Sequence, residues 1–182
     1  TRPQLTQAGW QLEGNRFVRG DEVYLPLYEA KMLHQYDHRW ATYEGGDTRD
    51  VTSVEKADPA FVVNPRYWMR TTDVEERLEK RPLSWLLGFR DIARSTDERT
   101  AIFSVIPRVA VGHKAPLFFV KEDSSCAIAL IGCTSSFVFD YITRQNVGGT
   151  SMTFFIVKQL PVPLPTTFRQ PCAWMPNLSL AA

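Results

Sequence analysis

Hydrophobic positions fall into short runs divided by glycine, proline and charged residues, which predicts many short elements instead of a few long ones. Trp10, Leu12, Phe17 and Val18 make a weak opening run, with Glu13-Gly14-Asn15 as a turn. Val23 to Glu29 is rich in strand formers, and Pro26 inside it argues for a sheet edge, because proline donates no ladder hydrogen bond. Ala30 to Tyr36 fits one or two helical turns. Arg39 to Tyr43 alternates like a strand, and Phe61 to Val63 reads as another. Glu44 to Pro59, polar and carrying Gly45-Gly46, predicts a mobile loop. Asp73 to Arg81 predicts a charged helix capped by Thr72 or Asp73. Leu83 to Ala93 is mostly apolar, and a helix there puts Arg90 and Arg94 on one face. Thr100 to Ile106 reads as a buried strand. Val109 to Val111 and Leu117 to Val120 read as two more, around Gly112-His113-Lys114. An amphipathic helix is expected over about 127–141, with Leu130, Phe137 and Tyr141 sharing a face. Gly148-Gly149 then permits a positive-φ turn, a short apolar strand or helix follows, and Pro161, Pro163 and Pro165 end it. Strands mixed with helices, without regular alternation, predict an α+β fold: a mixed, mainly antiparallel sheet with a few packed helices.

With 182 residues, the chain can bury a core. A single domain is expected over 1–165, best supported over 20–163, with a proline-punctuated peripheral tail over 166–182. Hydrophobic residues at 44% and charged residues at 23% match a globular chain. No apolar run approaches the roughly 18 residues of a membrane span, so no membrane partner is expected. The chain shows no signal peptide and opens on Thr1 without Met, so it is expected to be a piece of a longer protein. Cys126, Cys133 and Cys172 lack a metal-ligand spacing and suggest buried free thiols in a reducing cytoplasm. A net charge of +1 argues against strong autonomous DNA binding. It still suits one wall of a cleft whose other wall is a separate domain.

Several residue groups can carry chemistry. His34 and His38 would share a helical face and could hold a divalent metal; Gln35 stands where a zinc protease needs Glu, and no third ligand is apparent. Polar packing is the alternative. Asn64-Pro65-Arg66-Tyr67 is a near miss for the Asn-Pro-Pro-aromatic motif of adenine-N6 methyltransferases, with Arg66 in place of the second proline. No Gly-rich turn for S-adenosylmethionine accompanies it. Arg90, Arg94 and Arg99 can reach a DNA strand, or form a surface network with the interleaved Asp91, Asp97 and Glu98. Arg108, His113 and Lys114 flank a turn that can sit at a groove. Arg144, Gln145 and Asn146 precede the glycine pair, a loop fit for a phosphate backbone or for an ordinary helix end. No Ser/His/Asp triad, phosphate loop or catalytic carboxylate pair stands out.

Residues 135–163, SSFVFDYITRQNVGGTSMTFFIVKQLPVP, resemble the closing segment of the target-recognition region in large adenine-specific DNA methyltransferases of type II and related phage-defence restriction–modification systems. Residues 24–44 and 85–117 resemble two further blocks of that family, in the family's order. The order of elements is also similar to that of type I specificity subunits. The resemblance implies a recognition domain for double-stranded DNA, with Arg66 and Lys158 joining the DNA-contact candidates. It implies a parent enzyme that uses S-adenosylmethionine through an N-terminal methyltransferase domain, with no cofactor and no catalytic residue in this chain. Ala30 and Ala110 stand where the family is expected to have Gly, and Ser151-Met152-Thr153 where it has His-Leu-Asn. Two other functions remain open. One is a docking or structural domain acting through Tyr24 to Tyr43; the other is a degenerate methyltransferase or metal site.

Overall fold

A computed structural model describes residues 1–79, 81–179 and 181. Positions 80, 180 and 182, which belong to the expected 73–81 helix and the tail, lie outside the described residues. The short helix α1 (Arg2–Gln7) leads into an antiparallel meander of β1 (Gln11–Glu13), β2 (Arg16–Arg19) and β3 (Glu22–Tyr28). A 3-10 turn at Ala30–Met32 is followed by the hairpin β4 (Ala41–Glu44) and β5 (Asp47–Asp50), the helix α2 (Ser53–Ala57), β6 (Tyr67–Arg70) and the helix α3 (Thr71–Arg77). Then come β7 (Trp85–Phe89), β8 (Phe103–Pro107), β9 (Ala110–Val111) and β10 (Leu117–Phe118). The helices α4 (Ser124–Thr134), α5 (Phe137–Asn146), α6 (Phe154–Val157) and α7 (Pro165–Phe168) precede a last hairpin, β11 (Pro171–Cys172) and β12 (Met175–Ser179). The fold is α+β with mainly antiparallel sheets.

The first sheet runs β1-β2-β3-β6, with β9 added in parallel to the end of β3. Pro26 is therefore central, against the edge position its missing N–H predicts. The register explains how. On one side β3 pairs β2 only through Tyr24, and pairing resumes with β9 at Leu27. Gly112 N–H donates to the Tyr28 carbonyl on that side at 2.8 Å, and strand alternation turns the Pro26 nitrogen to the same side. It faces the gap between the two partners, where no donor is needed.

The second sheet, β10-β7-β8, lies between two cores. Leu86 and Ile106 join Leu25, Met32, Leu33 and Val63 of the first core. One residue on, Leu87 and Phe89 join Phe103, Ala127, Ile131, Phe139 and Met152 of the second. The period of two thus feeds both cores from one strand, and each large side chain so buried contributes about 1.5–3 kcal/mol. Gly88 permits this close stacking: a Cβ there would lie 3.3 Å from the Pro116 carbonyl oxygen. A third cluster joins Trp10, Phe17 and Trp68 on the meander.

Other local expectations change. Ala30 to Tyr36 yields one turn, the shorter of the two expected lengths, since Leu33 is already extended at φ -112° and ψ 144°. The polar 44–59 segment is folded: Gly45 and Gly46 supply the positive φ of the β4–β5 turn, and Thr52 and Glu55 form a capping box on α2. Phe61 to Val63 is not a strand; Arg39 bonds the Lys56, Asp58 and Phe61 carbonyls at 2.7–3.2 Å and holds this stretch as irregular chain. The expected 127–141 helix is two helices bent by 67°. Ser136 accepts from the Phe139 N–H and starts a new helix, so Phe137 and Tyr141 lie apart from Leu130. Gly148 and Gly149 do not adopt positive φ. The tail folds back, with Phe168 and Cys172 buried. Among the described residues no single helix is long and apolar enough to cross a membrane.

Candidate nucleic-acid interface

Three segments distant in sequence meet at Asp91. Its N–H donates to the Lys114 carbonyl at 3.0 Å, and its carbonyl accepts from the Met152 N–H at 2.6 Å. Its carboxylate accepts from Lys114 Nζ at 2.6 Å. Ile92 bridges Ser151, and the Ala93 N–H donates to the Thr150 carbonyl. The 90–99 loop, the 112–115 turn and the 147–153 loop thus form one surface at the end of β7. Asp91 is 7% exposed, and its Oδ1 has no partner. Nothing in its local spacing marks it as this hub.

The end of α5 closes the same surface. Asp140 is buried, and its Oδ1 accepts from the Thr100 and Ala101 N–H groups at 2.8 Å each. Its Oδ2 accepts from Arg144 Nε at 2.7 Å. Burial raises the Asp140 pKa, but the Ala101 N–H, the Arg144 guanidinium and the Thr100 N–H together lower it further, and the net direction is down. Arg144 also donates to the Ser95 and Glu98 carbonyls, clamping the 94–99 loop. Here one sequence signal existed: Asp140 and Arg144 stand one helical turn apart.

The candidates divide by what they touch. Arg99 donates to the Ser135 and Ser136 carbonyls and caps the end of α4; Gln35 reaches the same Ser135 carbonyl. Arg108 is held by Glu75 through two contacts and by the Arg81 and Leu83 carbonyls at 2.8 Å, away from the junction. Lys114 lies on Asp91. These cations, with Arg144, hold loops together. Arg94, His113, Gln145, Asn146 and Lys158 are exposed. The Asn146 amide returns to the Ile142 carbonyl. Arg66 is exposed elsewhere, over the Tyr67 ring. Arg90 and Arg94 do not share a helical face, because 85–89 is a strand and a loop follows.

His34 and His38 do not share a helical face either. His34 sits in a bridge with Asp37 and stacks on Trp40 at 4.2 Å. Burial, then the nearby Arg90 charge, push its pKa down. Burial, then Arg39, do the same to His38. Among the described residues no group of three His, Cys, Asp or Glu is placed to hold a metal. The Asn64 N–H donates to Thr42 Oγ1 at 2.9 Å, and its carbonyl accepts from the Tyr43 N–H at 2.9 Å. The Asn64 backbone is thus paired with the β4–β5 hairpin, on one side of an open cleft of about 610 Å³. The Tyr24 to Tyr43 stretch is largely core: Leu25, Tyr28, Met32 and Leu33 are buried, which leaves little of it to dock a partner.

Comparison with known proteins adds no relative: no family model matches the chain, no curated protein matches it, and no solved structure matches it.

Proposed function

We propose that the chain is the double-stranded DNA recognition domain of a DNA adenine-N6 methyltransferase or restriction–modification enzyme of phage defence. The observation that carries this is the junction at Asp91. Two of the blocks that bear the family resemblance, 85–117 and 135–163, meet through it, with the segments that carry Arg90, Arg94, Arg99, His113, Lys114 and Arg144. Arg94 and His113 are exposed on its 90–99 and 112–115 segments, and Gln145 and Lys158 are exposed on α5 and at the end of α6, free to meet phosphates and base edges. The cations beneath them engage carbonyls and carboxylates and fix the loops. Catalysis and S-adenosylmethionine binding belong, in this reading, to an N-terminal methyltransferase domain of the parent, which works in the cytoplasm. The chain by itself methylates nothing.

A specific observation favours a second role for the same domain. Phe137, Val138 and Tyr141 on α5 and Phe155 on α6 are 66–84% exposed. Exposed apolar side chains clustered on α5 suit an interface, and the parent's catalytic half is the partner this reading supplies. Fluorescence anisotropy with a mixed-sequence duplex pool tests both. Binding that weakens steeply between low and physiological salt supports phosphate contacts. No binding at low salt leaves docking as the domain's role.

A further inference from the structure

Arg90 differs from the other cations of the junction. Arg99 and Arg144 bond carbonyls beside Asp140, Lys114 lies on Asp91, and Arg94 stands in solvent. Arg90 is partly buried, and its Nε, like that of Arg99, is shut away from solvent without an acceptor; Arg99 still bonds two carbonyls through Nη2. Among the described residues its guanidinium forms no hydrogen bond and no ion pair. Asp97 is the carboxylate whose charge it feels, but Asp97 Oδ2 accepts from the Arg94 N–H at 3.0 Å. Its charge also reaches His34, whose pKa burial and then Arg90 push down.

A guanidinium taken out of water without a carboxylate works against folding. An apolar side chain of similar volume would serve the fold as well or better. Nε is enclosed, whereas the two terminal nitrogens are not among the polar atoms shut away from solvent. They form a pre-positioned fork that loses little freedom on contact. Flexible exposed cations such as Arg94 and Lys158 suit phosphates; a fork fixed by packing suits the paired acceptors O6 and N7 of guanine.

We infer that Arg90 is a specificity-determining residue of the DNA face, its fork reading a guanine edge in the major groove. This rests on the recognition function proposed above. The test compares the unsubstituted chain with Arg90→Met and Arg90→Lys. It selects bound sequences from a randomised duplex pool, measures anisotropy on the selected duplex, and follows thermal unfolding. The expected result is a G·C preference in the unsubstituted chain that both variants lose, with selected-duplex affinity falling on the order of ten- to a hundredfold. Affinity for random duplex should stay within about threefold for Arg90→Lys, which keeps the charge. Thermal stability of Arg90→Met should be unchanged or higher. No DNA binding by the unsubstituted chain overturns the recognition function and this assignment together. Binding with an unchanged G·C preference in Arg90→Met overturns the assignment alone. So does an equal loss of affinity for all sequences, the mark of a phosphate contact. A lower unfolding temperature, or failure of Arg90→Met to fold, makes Arg90 structural and has the same consequence.

Discussion

Asp140 and Arg144 form the i,i+4 pair that locks α5 onto the loop surface: Arg144 Nε donates to Asp140 Oδ2 at 2.7 Å, and Asp140 Oδ1 takes the Thr100 and Ala101 N–H groups. Asp140→Ala strips an acceptor from two buried N–H groups and a counter-charge from Arg144. Its expected cost is about 3–5 kcal/mol, the range for breaking a buried pair from one side. Urea unfolding measures it. A loss under 1 kcal/mol would mean that the pair is ordinary surface decoration.

Acid should destabilise the chain in two steps. Burial and neighbouring cations depress the folded pKa of His34 and His38 below their ordinary 6.5. The folded state therefore binds fewer protons than the unfolded one, and stability declines as pH falls below about 6.5. Asp140 acts lower. Its folded pKa is depressed, so its contribution is full above the unfolded value of about 3.9 and is lost as pH falls through the folded value. A His34→Gln, His38→Gln double variant should flatten the first step and leave the second. Unfolding free energy measured from pH 7 to pH 3 decides this; an unaltered first step in the double variant refutes the assignment.

Removing engaged and exposed cations should have opposite effects. Arg108→Met leaves the half-exposed Glu75 and two carbonyls without their donor and should cost about 1–2 kcal/mol, with little change in DNA affinity of the folded chain. Arg94→Ala and Lys158→Ala should each leave stability within about 0.5 kcal/mol. Each should reduce the slope of log affinity against log salt by about 1. A salt slope that moves for Arg108→Met and not for Arg94→Ala would place the DNA surface elsewhere.

Gly88→Ala tests the stacking of the second sheet. The added methyl meets the Pro116 carbonyl oxygen at 3.3 Å and Leu117 at 3.4 Å. Either β10 or β7 must shift, at about 1–3 kcal/mol. Thermal unfolding of the variant measures the cost. A neutral outcome would show that the β7–β10 pairing is loose.

Only part of the strand set is legible along the chain: β1, β2, β5, β6, β7, β11 and β12 carry no local signal that marks them. Val23 to Tyr28, Phe103 to Ile106, Ala110-Val111 and Leu117-Phe118 fall where β-branched and aromatic runs place them. Those signals lie within a few residues, where periodicity and propensity act. The expectations that failed needed distant partners. Pro26 became central because β2 and β9 leave a gap beside it. Residues 61–63 stayed irregular because Arg39 takes their neighbours' carbonyls.

The sequence by itself determined the α+β class, the positions of about half of the elements, and the set of polar side chains available to a DNA surface. Tertiary structure decided which of those side chains remain free. Arg99 and Arg144 look like Arg94 in sequence, yet the first finds the Ser135 carbonyl 36 residues away and the second finds Ser95 49 residues away. Arg90 finds no carbonyl or carboxylate. A guanidinium binds whichever acceptor the fold carries to it, and backbone carbonyls, present at every residue, leave no mark in sequence.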